Sequence, residues 1–255
     1  MLTLDLSAKV AVITGATSDL GRVMVRTLSQ CGANIAINYL RNAELAATLV
    51  NEVEAAGGRA IAVQADITSE GQINAMRDRV LETFVSVDIV VNNAVIQYDW
   101  KSVLEQDIED YEGQFRSCVL HNVLMAKAFV PSMIERGHGG RVIGINTECA
   151  MQNFASQSAY VSGKRGMDGV LRILAKEIGE HQITVNQVAP GWTISARDRA
   201  AGSEIQPGYT KSVPLARRGT DQEIANVVAF LASDLSSYIT GAYIPVCGGN
   251  VMPTI

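Results

Sequence analysis

A regular alternation of short apolar runs and amphipathic segments constrains this chain more than any other feature. The strand-like runs are apolar almost throughout, as in a sheet buried on both faces. They are residues 10–14, 34–38, 60–64, 88–91, 141–145, 184–188 and 242–246. Helical periodicity marks residues 20–31, 43–56, 69–84, 108–136, 159–178 and 221–231. Repeated strand–helix–strand units predict an α/β fold: a doubly wound parallel sheet with right-handed crossovers and helices on both faces.

Length and composition narrow the class of protein. The 255 residues suit a single domain over 1–255, and 47% hydrophobic against 18% charged residues excludes wholesale disorder. A net charge of −5 disfavours a partner such as nucleic acid or an anionic membrane. The apolar runs are too short for a spanning helix, and Asp5 interrupts any signal-peptide pattern, so we expect a cytoplasmic protein. The four cysteines lack metal or disulfide spacing, which predicts free thiols and no metal site.

Residues 195–218 form the least regular stretch of the sequence. It is the best candidate for a mobile loop or lid over a substrate, and a solvated connector is the alternative.

Between the first strand and helix lies the turn Thr14-Gly15-Ala16-Thr17-Ser18-Asp19-Leu20-Gly21. A glycine-rich turn here lets backbone approach a pyrophosphate, and the helix N-terminus offers free N–H groups. Alone, the turn is a weak signal, because an ordinary strand–helix connection reads the same way.

Three further motifs follow in order: Asn92-Asn93-Ala94 after the fourth strand, Tyr160-Val-Ser-Gly-Lys164 on a late helix, and Pro190-Gly191 after the sixth strand. Together these motifs resemble the short-chain dehydrogenase/reductase family over essentially the whole chain. The ending TGAYIPVCGG at 240–249 is most similar to the 3-oxoacyl-acyl-carrier-protein reductase type. The resemblance implies a Rossmann-type fold and a nicotinamide cofactor.

The resemblance also implies which residues bind the cofactor. They are Gly15, Thr17, Ser18, Asp19, Leu20, Gly21, Tyr39, Arg41, Asp66, Ile67, Asn92, Ala94, Tyr160, Lys164, Pro190, Gly191 and Thr193. Two positions depart from the family pattern, because Asp19 and Val95 stand where glycines are usual. We expect a carboxylate near the pyrophosphate to weaken binding without abolishing it.

The choice of cofactor depends on the end of the second strand. NAD-selective folds place an acid there to bind the ribose 2′-hydroxyl. This chain has Tyr39 at that position, with Arg41 two residues later and Arg22 in the first helix. A guanidinium suits a 2′-phosphate, so the sequence favours NADP(H), with NAD(H) as the alternative.

The catalytic prediction centres on Tyr160 and Lys164, which share one helical face. A nearby ammonium should lower the pKa of the tyrosine, which then exchanges a proton with a carbonyl oxygen. Thr147 stands thirteen residues earlier, where the family has a serine, and can still donate a hydrogen bond. Cys118 replaces the family's proton-relay asparagine, which should impair that relay. His121 or Asn122 could substitute, or they simply pack against neighbouring helices.

Three functions remain open at this point. The first is an NADPH-dependent reductase of a ketone or 3-oxoacyl-like carbonyl, or the reverse alcohol dehydrogenase. The second is a pseudoenzyme that acts by binding or assembly with an active paralogue, and the third is an epimerase or lyase that uses the cofactor. Met151, Phe154, Trp192 and Ile194 suggest a partly apolar substrate pocket. Broad apolar faces on helices 108–136 and 159–178 predict a homotetramer, or else a dimer.

Overall fold

The computed structural model describes residues 4–252, which build one seven-stranded sheet. All six strand pairs are parallel, and the order is β3-β2-β1-β4-β5-β6-β7. The strands are β1 (Val10–Ile13), β2 (Asn34–Tyr39), β3 (Ala60–Gln64), β4 (Ile89–Asn92), β5 (Gly140–Ile145), β6 (Ile183–Pro190) and β7 (Tyr243–Val246). The predicted doubly wound fold is confirmed, and each predicted strand is present within two residues at either end.

Nine α-helices are described between residues 4 and 252. They are α1 (Asp19–Gln30), α2 (Ala43–Ala55), α3 (Glu70–Phe84), α4 (Ile108–Gln114), α5 (His121–Arg136), α6 (Ser158–Ile178), α7 (Ala196–Ala201), α8 (Pro207–Thr210) and α9 (Asp221–Ala232). Side chains cap several of their first turns: Ser18, Asn42 and Ser69 each accept a backbone N–H three residues on. These caps satisfy N–H groups that the first turn leaves free, which fixes where the helices begin.

The sheet separates two apolar cores. Along β1, Ala11 and Ile13 pack into the core with α1, α2 and α9, whereas Val10 and Val12 pack into the core with α3, α5 and α6. Successive side chains of a strand point to opposite faces, so an apolar run with helices on both sides fills both cores. This is the physical reason that the strands lack polar alternation.

The long helical pattern at 108–136 contains a local break. Helices α4 and α5 are joined without leaving the helical path by a π-helical turn, Phe115–Leu120. Ile108–Arg136 is apolar and long enough to cross a membrane by length and composition, in contrast to the sequence-based expectation. Its apolar window is 56% buried within the fold, as expected of a core helix.

Residues 195–218 are more regular than predicted, because the segment contains α7 and α8. Arg218 anchors it and is only 2% exposed. Its guanidinium donates to the Thr193 carbonyl at 2.9 Å, to the Ser203 carbonyl at 3.1 Å and to the Asp198 carboxylate at 3.0 Å. That hydrogen bond holds the pKa of Asp198 well below its ordinary value. Both ends of the segment are therefore tied to one buried cation.

The strand order reverses next to β1, whose neighbours are β2 on one side and β4 on the other. Crossovers leave β1 and β4 in opposite directions, which opens a crevice at the carboxyl ends of these strands. The glycine-rich turn follows β1, and the Asn92-Asn93-Ala94 motif follows β4. The fold thereby brings both motifs to the same edge.

Gly21 offers a test of this packing. A Cβ at that position would overlap the Gly15 carbonyl oxygen and lie 2.8 Å from two Ala16 backbone atoms. We expect Gly21→Ala to lower the melting temperature by several degrees, since backbone must move to make room. The control is Gly71→Ala in α3, which meets no described heavy atom within 4 Å and should be neutral or stabilising. Equal melting temperatures for Gly21→Ala and wild type, measured by circular dichroism, would contradict this packing.

Candidate active site

The turn after β1 has a backbone conformation that requires glycine. Gly15 has φ of +59°, and a Cβ there would lie 2.9 Å from the Ala94 Cα. The turn leads into the N-terminus of α1, where the Ser18 hydroxyl accepts from the Gly21 N–H at 3.1 Å. Glycine and a capped helix start together form a close-approach surface suited to phosphate groups.

Polar side chains from neighbouring strands hold this turn. Asn38 at the end of β2 accepts the Gly15 N–H at 3.1 Å and donates to the Ala65 carbonyl at 3.0 Å. From the β4 side, Asn93 donates to the Thr14 and Gly15 carbonyls at 2.9 and 3.1 Å. Both asparagines are at least nine-tenths buried. Hydrogen bonds from both neighbouring strands therefore hold the turn in place.

A cleft of about 850 Å³ opens along this edge. The predicted cofactor residues among its lining are Gly15, Thr17, Ser18, Asp19, Leu20, Arg41, Asp66, Ile67, Ala94, Tyr160, Lys164, Pro190 and Gly191. Val95 also lines it. The size falls in the range of natural ligand sites. Together with the fixed glycine turn, the cleft fits a dinucleotide.

Four predicted cofactor residues lie outside that lining, each for a local reason. Gly21 packs against the turn backbone, and Tyr39 packs on the apolar core that contains α1 and α2. Asn92 donates to Asn122 inside the fold, and Thr193 lines a second cavity next to the cleft, which is described below. These four residues therefore support the cleft from behind or face away from it.

The charges beside the glycine-rich turn differ from the expectation in one respect. Asp19 forms an ion pair with Arg22, so its carboxylate has a cationic partner three residues along α1. This pairing counters the predicted repulsion between Asp19 and a pyrophosphate. It also occupies Arg22, which was one of the two candidates for a 2′-phosphate. Arg41 is exposed on the cleft, and within residues 4–252 no carboxylate pairs with it.

The structure brings Tyr160, Lys164 and Thr147 together where the cleft meets a second cavity. The Lys164 ammonium lies 5.8 Å from the centre of the Tyr160 ring and donates to the Ile145 carbonyl at 2.6 Å. Thr147 ends the loop after β5, and its hydroxyl accepts the Cys149 N–H at 3.2 Å. Lys164 and Thr147 are both buried, at 4% and 7% exposed.

The pKa of Tyr160 moves opposite to the sequence-based prediction. Burial raises the pKa of its hydroxyl, and the nearby Thr147 side chain lowers it only in part. Burial likewise lowers the pKa of the Lys164 ammonium. Removing either group from water disfavours its charged form. Tyr160 is therefore a protonated phenol at neutral pH, which is the form that donates a proton.

Cys118 lies in the π-helical turn, 1% exposed, with its thiol 3.7 Å from the Gln114 side-chain oxygen. Asn122 accepts from Asn92 at 2.7 Å and donates to the Cys118 carbonyl at 2.6 Å. Cys118 thus contributes a backbone carbonyl, and Asn122 ties that carbonyl to β4. His121 directly precedes Asn122 in the sequence. Burial lowers the pKa of the His121 imidazole to about 3, so this imidazole carries no charge at neutral pH.

A second cavity of about 570 Å³ adjoins the cleft. It is lined by Ile96, Gln97, Tyr98, Trp100, Thr147, Glu148, Cys149, Phe154, Gln157, Tyr160, Gly191, Trp192, Thr193 and Tyr209. Phe154 and Trp192 confirm the predicted apolar lining. Met151 and Ile194 fall outside it, and Ile194 instead bridges Thr220.

Several residues of this region escaped the sequence analysis. Tyr98 accepts the Tyr160 N–H at 2.7 Å, and Trp100 stacks on the Tyr160 ring at 6.4 Å between centres. Tyr209 donates to Glu148 at 2.8 Å and packs on Trp192. One signal was available: aromatics make up only 5% of the chain, yet several fall in loops that follow strands. The four cysteines are free, and residues 4–252 contain no metal-binding group of three His, Cys, Asp or Glu side chains.

Comparisons with known proteins agree with the motifs. A family model described as "Enoyl-(Acyl carrier protein) reductase" matches residues 15–250. The 3-oxoacyl-[acyl-carrier-protein] reductase of Staphylococcus aureus is 36% identical over 246 residues, covering 96% of this chain and 98% of that protein. The enzyme of the same name from Synechocystis is 33% identical, covering 97% and 98%.

Solved structures agree with the fold. A blue fluorescent protein from a metagenomic library, in complex with NADPH, is 32% identical with a TM-score of 0.89, covering 97% of this chain and all of that one. A 7α-hydroxysteroid dehydrogenase complexed with NADH and 7-oxo glycochenodeoxycholic acid is 30% identical with a TM-score of 0.88, covering 98% and 97%. A short-chain type dehydrogenase/reductase from Mycobacterium marinum has a TM-score of 0.89 at 28% identity, with 98% of each chain covered. The chain is an oxidoreductase of the short-chain dehydrogenase/reductase family, most similar to the 3-oxoacyl-acyl-carrier-protein reductase type.

Proposed function

We propose that the protein uses NADP(H) to reduce a carbonyl to an alcohol, or runs the reverse reaction, on a small molecule. One observation carries the proposal: Thr147 and Tyr160 line both the dinucleotide cleft and the adjoining cavity. A substrate in the cavity would lie next to the proton donor and next to the end of the cleft. The NADPH complex of a structural relative supports the choice of cofactor.

The cofactor supplies hydride when bound, and the chain supplies its binding and the proton. The turn at Gly15 and Ser18 would receive the pyrophosphate, Asp66 and Ile67 the adenine, and Arg41 the 2′-phosphate. The remaining predicted contacts are proposed to hold or shape the same site; they are Thr17, Asp19, Leu20, Gly21, Tyr39, Asn92, Ala94, Pro190, Gly191 and Thr193.

Proton transfer falls to Tyr160. Its hydroxyl would donate to the carbonyl oxygen, which the Thr147 hydroxyl orients by a second hydrogen bond. Lys164 would stabilise the phenolate that forms and hold the ribose. After this transfer Tyr160 must regain a proton. The Cys118 carbonyl and Asn122 would hold the proton relay that returns it, in place of the family's asparagine side chain.

The alternatives from the sequence lose support at specific residues. A pseudoenzyme reading rested on Asp19, Val95, Cys118 and Thr147, but Asp19 has its Arg22 partner and Thr147 lines the same cleft and cavity as Tyr160. An epimerase or lyase would share the cleft, and product analysis separates it from a reductase.

We also propose that residues 1–255 act as one cytoplasmic domain, with 195–218 as a lid over the cavity.

A homo-oligomer is proposed from the exposed apolar side chains on two helices. Phe115 is 52% exposed and Leu120 38% in the π-helical turn, and Ile173 on α6 is 56% exposed. Nearby Val123 and Val170 line a shallow apolar depression between α5 and α6. Apolar patches of this kind mark protein contacts, and two paired faces would give a tetramer.

Replacing the proton donor tests the chemistry. Tyr160→Phe should cut turnover of an accepted ketone by about 10²–10⁴-fold, the usual scale for losing a general acid. NADPH binding, measured by calorimetric titration, should persist. The matched control is Tyr238→Phe, a fully exposed tyrosine that should leave turnover unchanged. Unaltered turnover in Tyr160→Phe would show that another group donates the proton.

Removing the free guanidinium tests cofactor choice. Arg41→Ala should weaken NADPH binding by about tenfold or more and change NADH binding little, since only NADPH has the 2′-phosphate. Arg79→Ala is the control, because Arg79 lies outside the cleft and pairs with Glu82. Tighter wild-type binding of NADH, or equal losses for both cofactors, would refute the preference.

The assembly prediction is tested by mass in solution. Light scattering at micromolar concentration should give about four times the 27.3 kDa of one chain, with two times as the next expectation. Ile173→Glu should lower that mass by placing a charge in the proposed contact. A monomeric mass for wild type contradicts the proposal.

A further inference from the structure

A buried carboxylate stands in the substrate cavity beside the proposed oxygen-orienting residue. Glu148 directly follows Thr147, lines the cavity and is only 2% exposed. Its two oxygens accept from the Tyr209 hydroxyl at 2.8 Å and the Asn250 amide at 3.0 Å. Each carboxylate oxygen can accept more than one hydrogen bond, so the group retains capacity for a ligand.

The rest of the cavity lining contributes no opposing charge. Among the described residues that line it, Glu148 has the one carboxylic side chain, and no lysine or arginine is present. Arg218 approaches only from outside the cavity: it stacks on the Trp192 ring at 4.7 Å and donates to backbone carbonyls and Asp198. Lys164 lines the adjoining cleft and not this cavity, so the cavity lining itself holds a carboxylic side chain and no basic one.

Two further features favour a cationic group. Aromatic rings form much of the wall, from Tyr98, Trp100, Phe154, Tyr160, Trp192 and Tyr209. The faces of such rings attract cations. Gln157, 7% exposed and part of the same lining, has a buried side-chain oxygen with no hydrogen-bond partner among the described residues. An unpaired buried acceptor is costly, and an N–H donor on a ligand would satisfy it.

We propose that the cavity takes a ketone or alcohol that carries an ammonium group, recognised by the Glu148 carboxylate, the Gln157 oxygen and the aromatic wall. The inference rests on the proposed carbonyl reduction and names its substrate class. By the same argument, ketones that carry an anionic group next to the carbonyl are not preferred substrates.

The test uses two ketones that differ by one isosteric replacement: 2-amino-1-cyclohexylethanone and 1-cyclohexylpropan-1-one. The first carries an ammonium at slightly acidic pH where the second has a methyl. Trp100 and Trp192 are the two tryptophans of the chain, and both line the cavity. Tryptophan fluorescence therefore reports binding without requiring turnover.

Wild type should bind the amino ketone about tenfold more tightly than the neutral ketone, the scale of a desolvated cation–π contact with a carboxylate nearby. Glu148→Gln keeps the side-chain volume and an acceptor for Tyr209, and it should reduce the preference to near unity. Glu180→Gln removes the same charge at a side chain that is 82% exposed, outside the cavity lining, and should keep the preference.

Equal wild-type affinities, or a preference that Glu148→Gln leaves intact, would overturn the inference. The wild-type comparison alone decides the matter if Glu148→Gln does not fold. NADPH oxidation with the same ketones separates the two proposals. Reduction of both ketones without an ammonium preference would uphold the reductase and refute the substrate class. Selective binding of the amino ketone without any reduction would uphold the ammonium site and refute the reductase.

Discussion

The structure depends on the satisfaction of buried polar groups at the carboxyl edge of a parallel sheet. Each strand ends in backbone that must leave the hydrogen-bonded ladder while still enclosed by helices. Asn38 and Asn93 bind the turn after β1, and Asn146 donates to the Lys164 carbonyl at 3.1 Å and to Gln187 at 2.7 Å. These amides therefore fix the loops that carry the candidate site.

Much of the fold could be predicted from sequence because its signals are local and repeated. A run such as Val10–Ile13 is apolar and buried at every residue, and it lies within the predicted strand at 10–14. The π-helical turn at Phe115–Leu120 could not be predicted, because a side chain that binds it is itself bound to a residue far away in sequence. Asn122 donates to the Cys118 carbonyl within the turn and accepts from Asn92 at the end of β4. The capping box of Ser195 and Asp198 was a local signal for the first helix within 195–218, and it was missed. The anchoring of the segment could not be predicted, because the buried Arg218 binds Asp198 twenty residues away.

The candidate site divides in the same way. Motif residues such as Gly15, Tyr160 and Lys164 are recognisable because their spacing follows strand and helix ends. What sequence could not supply is the balance of environments: burial raises the pKa of Tyr160, although a lysine lies on the same helical face. Nor does sequence reveal that Asp19 has a partner in Arg22, or that Glu148 faces an aromatic cavity. Pairing and desolvation belong to the folded chain.

The central claim is that two cavities meet at Tyr160 and Thr147. One would hold the dinucleotide cofactor, and the other would hold the carbonyl or alcohol substrate. A crystal structure of the protein soaked with NADPH tests it most directly. The account predicts the pyrophosphate at the Gly15 turn, the 2′-phosphate beside Arg41 and the nicotinamide at the junction, within reach of Tyr160. An empty cleft at saturating NADPH, or a nicotinamide lying away from Tyr160, would contradict it.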